Sequence, residues 1–422
     1  MKVKGLKRRK LDNVALAFPA ATGKRDSRVF RIYCLLKENV DKRALQESVT
    51  EALNKYPLFG SVLKRGNFWY YFEKSGMVPE VKEEERIPCG YMYEKGREKL
   101  LCSVTYGKKR INLEIFHALT DGTGAIEFLS EIVKIYLEKA HGVENRTSEN
   151  KAASISEQEE DSFSRYYSRE KQEKKKRRSR PAFLIRSKRV SQSEIRITES
   201  TVSVEKLLKR TRELNISITV YITAILMKAV ELTMSRKEKK KPVTVMIPVN
   251  LRKYYPSKSM SNFFGWMETE YQFGDASPET EEIAAHVKKR FEEDLKPAQV
   301  AARMNSYIRI EKNPLLKFIP LGIKDLFLKI GTEIGGRNVT AVFSNMSAVV
   351  LPEEYGNYIE RFGAIASTDK LQLCACSYRD VFYLSFSSKY VNSEIQNNFY
   401  SLMKKEGVEF DILKDKDIKE KL

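Results

Sequence analysis

Histidine is scarce in this chain: only His117, His141 and His286 occur among 422 residues. Any histidine in a distinctive local setting is therefore informative. Cysteine is sparse as well. Cys34, Cys89, Cys102, Cys374 and Cys376 form no C-x-x-C pair and have no histidine nearby, which leaves no zinc-ligand spacing and no metal site. An odd, scattered cysteine count fits a reducing, cytoplasmic setting. No apolar run reaches the ~18 residues that a membrane-spanning helix needs. The charged start Met1-Lys-Val-Lys-Gly-Leu-Lys-Arg-Arg-Lys is not followed by an apolar segment, so it does not read as a secretory signal. Nothing has the spacing of a zinc finger, an RNA-recognition motif or a helix-turn-helix, so nucleic acid is not an expected partner.

What the chain does have is basic charge and enough apolar residues for large cores. The formal net charge is +20, and 42% of residues are hydrophobic. The length predicts two or three domains. Charge is concentrated: residues 169–189 hold 11 basic and 2 acidic side chains, and the first ten residues hold six basic ones. Such runs suit polyanions, among them phosphorylated small molecules, an acidic carrier protein or an anionic membrane surface. The plainer alternative is a solvated linker, which is the reading adopted for Glu170 to Arg180.

The most distinctive stretch is Ile111-Asn-Leu-Glu-Ile-Phe-His-Ala-Leu-Thr-Asp-Gly. Ile111, Leu113 and Ile115 alternate with polar residues, the period of a strand; Ile126, Leu129, Val133 and Leu137 then follow at helical spacing. His117, Asp121 and Gly122 thus fall in the spacing H-x-x-x-D-G where a strand gives way to a helix. This arrangement delivers one imidazole at the end of a rigid strand, with Gly122 read as permitting a backbone shape that other residues resist. Locally, a plainer reading also holds: a strand-end histidine bonded to a backbone carbonyl, with Asp121 as helix N-cap. His141 and His286 sit in ordinary charged helical surroundings.

The element order strand, helix, strands, helix occurs twice. Residues 1–165 are predicted to form a first lobe, 166–192 a charged connector and 193–422 a second lobe. The stretch Val381-Phe-Tyr-Leu-Ser-Phe-Ser-Ser-Lys-Tyr-Val-Asn echoes the motif stretch, with Ser387 at the place of His117 and Val391 at that of Asp121. One active site between two lobes is the expectation. The segment from Asn313 to Ile330 mixes apolar residues with lysines. It reads either as a core helix interrupted by proline, the commoner outcome, or as a strip that lies on a membrane or lines an entrance.

With these residues in view, the chain resembles the chloramphenicol acetyltransferase superfamily. That group includes plant BAHD acyltransferases, peptide-synthetase condensation domains, and wax-ester and alcohol acyltransferases. Pro248-Val-Asn-Leu-Arg, Ser261-Asn-Phe-Phe-Gly-Trp and Val342-Phe-Ser-Asn-Met are similar to segments of the alcohol and wax-ester branch. Bacterial alcohol acetyltransferase-like proteins are the nearest in pattern. The resemblance implies an α/β (α+β) fold of two similar lobes, each a mixed sheet with flanking helices, and an active-site tunnel between them. It implies transfer of an acyl group, acetyl above all, from acyl-CoA to a small alcohol or amine. His117 would be the general base, with no covalent intermediate and no permanently bound cofactor. Asp121 would brace its loop against an arginine, with Arg252 the first candidate and Arg31 and Arg28 next. Ser344 or Asn345 would serve the oxyanion, and Asn262 and Trp266 the channel floor. The chain departs from the family in two places. Phe116 stands where condensation domains carry a first histidine, and the plant D-F-G-W-G motif is absent. A transferase fed by an acyl carrier protein and a silent acyl-, carrier- or membrane-binding scaffold are the alternatives.

Overall fold

The protein's structure, a computed structural model, describes residues 8–85, 87–144, 153–169, 180–192 and 194–413. The first half runs β1 (Arg8–Lys10), α1 (Ala17–Ala21), β2 (Val29–Leu36), α2 (Lys42–Lys55), β3 (Ser61–Arg65) and β4 (Tyr70–Lys74). It continues through β5 (Lys82–Glu83), β6 (Cys102–Tyr106), β7 (Arg110–Phe116) and α3 (Gly122–His141). Two short helices, α4 (Ile155–Gln158) and α5 (Ser162–Arg165), lead to β8 (Arg196–Ser203), α6 (Val204–Glu213) and α7 (Ile218–Glu231). Then come β9 (Val243–Asn250), β10 (Phe264–Tyr271), α8 (Thr280–Asp294), α9 (Pro297–Glu311), α10 (Pro314–Lys317) and α11 (Leu321–Gly336). The chain ends with β11 (Ala341–Ala348), β12 (Ile359–Ala366), β13 (Leu371–Tyr378), β14 (Val381–Ser388), α12 (Glu394–Lys405) and β15 (Asp411–Leu413).

Two mixed sheets organise the molecule. One has the order β12-β2-β7-β6-β5 and the other β10-β9-β11-β13-β14-β8-β15. A small β1-β4-β3 sheet flanks the first. The internal strand β2, Val-Phe-Arg-Ile-Tyr-Cys-Leu-Leu, is buried along its whole length, as expected for a strand covered on both faces. Helices α2 and α3 pack together, each capped by an aspartate: Asp41 accepts from Ala44 N and Asp121 from Gly124 N. Gly142, at φ 65°, closes α3 in the left-handed conformation that glycine favours.

The sequence reading anticipated most of these elements but not all. The apolar spacing of residues 204–234 predicts one helix, whereas α6 and α7 meet at 83°, separated by a turn in which Asn215 has φ 51°. No single helix among the described residues is long and apolar enough to cross a membrane. The reading also passed over β12. This strand comes from the second half of the chain yet pairs with β2, so it completes the first sheet and ties the two halves together. Just after Pro181 the chain is anchored: Ala182 and Phe183 are buried, and Phe183 N donates to Pro242 O at 2.8 Å. The expectation for Glu170 to Arg180 falls, apart from Arg180, outside the described residues.

Asn313 to Ile330 does not form a core helix. Of α11 only Leu321 is buried. Proline bounds the helix at residue 320, and α11 is attached mainly through α1 and the β3–β4 hairpin.

Candidate active site

The ladder of β7 ends at Phe116, which is fully buried and stacks on Tyr93 at 5.2 Å. The next amide, His117 N, donates to Arg28 O at 2.8 Å, and Leu119 N turns back to Phe116 O at 2.9 Å. The imidazole is thereby presented just beyond the sheet, partly exposed and enclosed by three phenyl rings. Phe18 of α1 stacks on it at 4.5 Å, Phe30 of β2 lies at 4.8 Å and Phe264 of β10 at 5.5 Å. Since Phe264 belongs to the larger sheet, His117 lies at the junction of the two lobes.

The polar contacts define the tautomer. His117 Nδ1 lies 3.2 Å from Asn262 Oδ1. The Asn262 amide cannot be turned the other way, because its Nδ2 faces two acceptors: Asp12 Oδ2 at 3.2 Å and the Ala118 carbonyl at 3.3 Å. A carbonyl oxygen only accepts, so Nδ1 carries the proton and Nε2 keeps its lone pair. Burial lowers the His117 pKa from the ordinary imidazole value of 6.5, outweighing its backbone bond, Asp121 and Asn262. The ring is therefore neutral and basic at neutral pH.

Asp12, absent from the sequence reading, anchors this chain of contacts. Its Oδ2 accepts from both the backbone N and Nδ2 of Asn262 at 3.2 Å, and its Oδ1 from Ala15 N at 2.8 Å. Burial pushes its carboxyl up to about 7, against those bonds and the charge of Arg9.

Asp121 does not touch the imidazole. Its Oδ1 caps α3 at Gly124 N, 3.1 Å away. Its Oδ2 accepts from Arg252 Nη1 at 2.7 Å and from Phe263 N at 2.8 Å. Arg252 Nη2 in turn donates to the carbonyls of Ser259 and Ser261, both at 2.7 Å. The pair thus clamps residues 259–263 from both sides, and Asn262 is carried on that clamped loop. Arg31 and Arg28, the other candidates, are engaged elsewhere: Arg31 with Glu84 and Glu114, Arg28 with Asp26. Asn250 of the Pro-Val-Asn-Leu-Arg segment bonds Thr123 Oγ1 at 3.1 Å, a second tie to the start of α3.

The glycine expectation needs correcting. Gly122 has no positive φ, and a Cβ there would meet only the Met346 side chain, at 3.5 Å, an ordinary contact. The constrained glycine is Gly124, where a Cβ would stand 2.2 Å from Thr120 Oγ1 and 2.9 Å from Met260 O. It lets the first turn of α3 approach the 259–263 loop.

The approach of Met346 to Gly122 brings the end of β11 against the start of α3. Ser344 Oγ accepts from Gln372 Nε2 at 3.1 Å, which leaves its own proton free to donate. Asn345 is committed to its neighbours, Nδ2 to Thr219 Oγ1 at 3.1 Å and Oδ1 from Ser347 N at 2.9 Å. Trp266 stacks on Tyr307 of α9 at 4.7 Å and shares an apolar crevice with Phe264, Leu251 and Met304. The other histidines have structural partners: His141 packs on Tyr358, and His286 bonds Glu270 O. Among the described residues no group of three or more His, Cys, Asp or Glu side chains gathers in a metal-holding arrangement.

No protein-family model and no curated protein matches the chain. Solved structures do. Polyketide synthase associated protein 5 from Mycobacterium tuberculosis superposes with a TM-score of 0.62 at 14% identity, covering 96% of this chain and 98% of that one. TRI101 of F. sporotrichioides, complexed with coenzyme A and T-2, gives 0.64 at 10% identity over 93% and 97%. The epimerization domain from the third module of tyrocidine synthetase B gives 0.57 at 10% identity over 95% and 96%. At such identities the likeness establishes the fold.

Proposed function

On the chloramphenicol acetyltransferase-like fold that this chain carries, we propose that the protein is an acyltransferase that moves an acyl group from acyl-CoA to an alcohol or amine. The observation that carries this reading is the single imidazole at the lobe junction, its Nδ1 fixed by Asn262 and its Nε2 free. Support for the donor comes from the coenzyme A held by structures of the same fold. The basic surface suits its phosphates.

The chemistry follows from the side chains. Nε2 of His117 takes the proton of the acceptor O–H or N–H as the heteroatom attacks the thioester carbonyl carbon. The carbonyl π electrons move to oxygen, and a hydroxyl donor stabilises that charge. We assign this role to Ser344, whose proton is uncommitted, rather than to Asn345. Collapse of the tetrahedral species breaks the carbon–sulfur bond, and the thiolate recovers the proton from Nε2. Every cysteine is free and buried, so none is placed as a nucleophile, in keeping with direct transfer. Asp121 and Arg252 hold the loop that positions Asn262, and the acetyl group is the donor acyl we favour.

Phe116, buried in the core, replaces the first histidine of condensation domains, which favours acyl-CoA over a carrier-bound donor. The test is release of free thiol from a series of acyl-CoAs against a panel of alcohols and amines. Turnover that depends on His117 supports the reading. Turnover with acyl carrier protein alone would select the carrier-fed reading, and none with either donor would leave a binding scaffold.

A further inference from the structure

Helix α11 is amphipathic, but it is mounted the wrong way round for a water-facing surface. Two of its charged residues, Lys324 and Asp325, turn toward the protein beside Leu321 and Leu328, while Lys329 and Glu333 are exposed. Lys324 Nζ lies 3.4 Å from the centre of the Trp69 ring and donates to Phe68 O at 2.9 Å. Asp325 accepts from Tyr70 at 2.9 Å and faces Arg65 at 3.7 Å. Leu321 N closes the attachment on Asn67 O at 2.9 Å. The other large apolar residues of the helix turn outward. Leu326 and Phe327 are 57% and 65% exposed, Ile334 is 56%, and Ile323 and Ile330 continue the same stripe; Phe318, just before the helix, is 79% exposed. A helix that only had to cover a core would show the opposite arrangement. Contiguous apolar surface of this kind marks an interaction site.

We infer that this face is a docking surface for an anionic phospholipid bilayer. Two observations select that occupant. First, the charge balance of this segment is positive: in sequence, residues 309–337 hold six basic and three acidic residues, Lys329 is exposed on the helix beside the apolar stripe, and the whole chain carries +20. Apolar side chains interleaved with lysine suit the boundary between headgroups and acyl chains. Second, α11 packs on α1, whose Phe18 stacks on His117. Docking through α11 thus sets the bilayer beside the wall of the candidate active site. A second copy of the chain would need no such charge.

Docking can be measured without turnover, so its failure is distinct from failure of the acyltransferase reading. The full chain is sedimented with phosphatidylcholine vesicles, with and without phosphatidylglycerol, at low and at ~0.5 M salt. The parent should bind the anionic vesicles and retain part of that binding at high salt. The Leu326→Ser/Phe327→Ser variant changes only exposed positions. It should keep the parent's circular dichroism and melting temperature and lose at least about tenfold in vesicle affinity. No binding by the parent, or equal binding by the variant through its basic runs alone, would overturn the inference. So would a parent dimer, seen by light scattering, that the variant abolishes while vesicles bind neither protein.

Discussion

Replacing Asp121 with asparagine separates a bracing role from a chemical one. The carboxylate serves three donors: Gly124 N on one oxygen, Arg252 Nη1 and Phe263 N on the other. An amide offers one acceptor, so either the cap of α3 or the clamp on the 259–263 loop meets a second N–H instead. A buried donor left without a partner costs about 1–3 kcal/mol. The Arg252 guanidinium also loses its counter-charge in a buried setting, where breaking a pair costs about 3–5 kcal/mol in all. For a unit the size of one lobe that corresponds to a fall in melting temperature of roughly 6–20 °C. Activity should fall as well, because Asn262 rides on the clamped loop and sets the imidazole. A displacement near 1 Å is enough for about a 10²-fold loss. The assay pairs a thermal melt with steady-state kinetics well below the melt. A normal melting temperature with activity lost would show that Asp121 acts in the chemistry, and normal values of both would show the clamp to be idle. Arg252→Gln should give a similar fall, and the double variant less than the sum of the two.

His117→Ala should reduce turnover by about 10²-fold or more while donor affinity, measured by calorimetry, stays close to that of the parent. The His117 limb of the pH profile, read in an Asp12→Asn background so that the Asp12 ionisation near pH 7 does not overlap it, should lie below pH 6.5, because burial lowers the imidazole pKa from that value; a limb above pH 6.5 in that background would contradict the lowered pKa. Asp12→Asn should remove an inflection near pH 7 from the activity profile and lower turnover by loosening Asn262. Its carboxyl is raised from 3.8 to about 7, so the folded chain holds a proton that the unfolded chain has released between those values. The parent should accordingly lose stability relative to Asp12→Asn as pH rises through that window, read as the difference in melting temperature. Gly124→Ala should be strongly destabilised and Gly122→Ala close to the parent, by denaturant unfolding; equal stabilities would refute the contact distances.

The elements that sequence made legible are those with a strong local period. β7 and α3 could be placed because alternation gives way to helical spacing at His117, and the β13–β14 hairpin because two apolar runs flank Arg379-Asp380. β12 escaped because Ile-Glu-Arg-Phe-Gly-Ala-Ile-Ala has little alternation: both faces are covered, and Gly363 takes the Tyr33 ring at the position of its missing side chain. The break between α6 and α7 escaped because Leu214, Ile216 and Ile218 keep an apolar count through a turn made by one left-handed asparagine. α11 was misassigned because an apolar periodic segment carries no sign of which way it faces. Only the contacts of Lys324 and Asp325 reveal that.

The candidate site divides along the same line. His117 and Asp121 are four positions apart, within reach of a spacing argument, and Arg252 could be proposed only through the family resemblance, which pairs the motif aspartate with an arginine. Asp12 had no such handle. It reaches Asn262 across 250 positions of sequence, and Asn262 reaches His117 across 145. The degenerate second copy shows why that support matters. Ser387 holds the place of His117 but lies inside the β14 ladder, opposite Gln372 and Ile197, fully buried. His117 stands one residue beyond its ladder, where the chain has left the sheet and a loop from the other lobe can reach the ring. A histidine introduced at Ser387 would thus lack both the accessible edge and an Asn262 to define its tautomer. The chemistry belongs to the junction of the lobes rather than to the strand–helix unit that the two halves share.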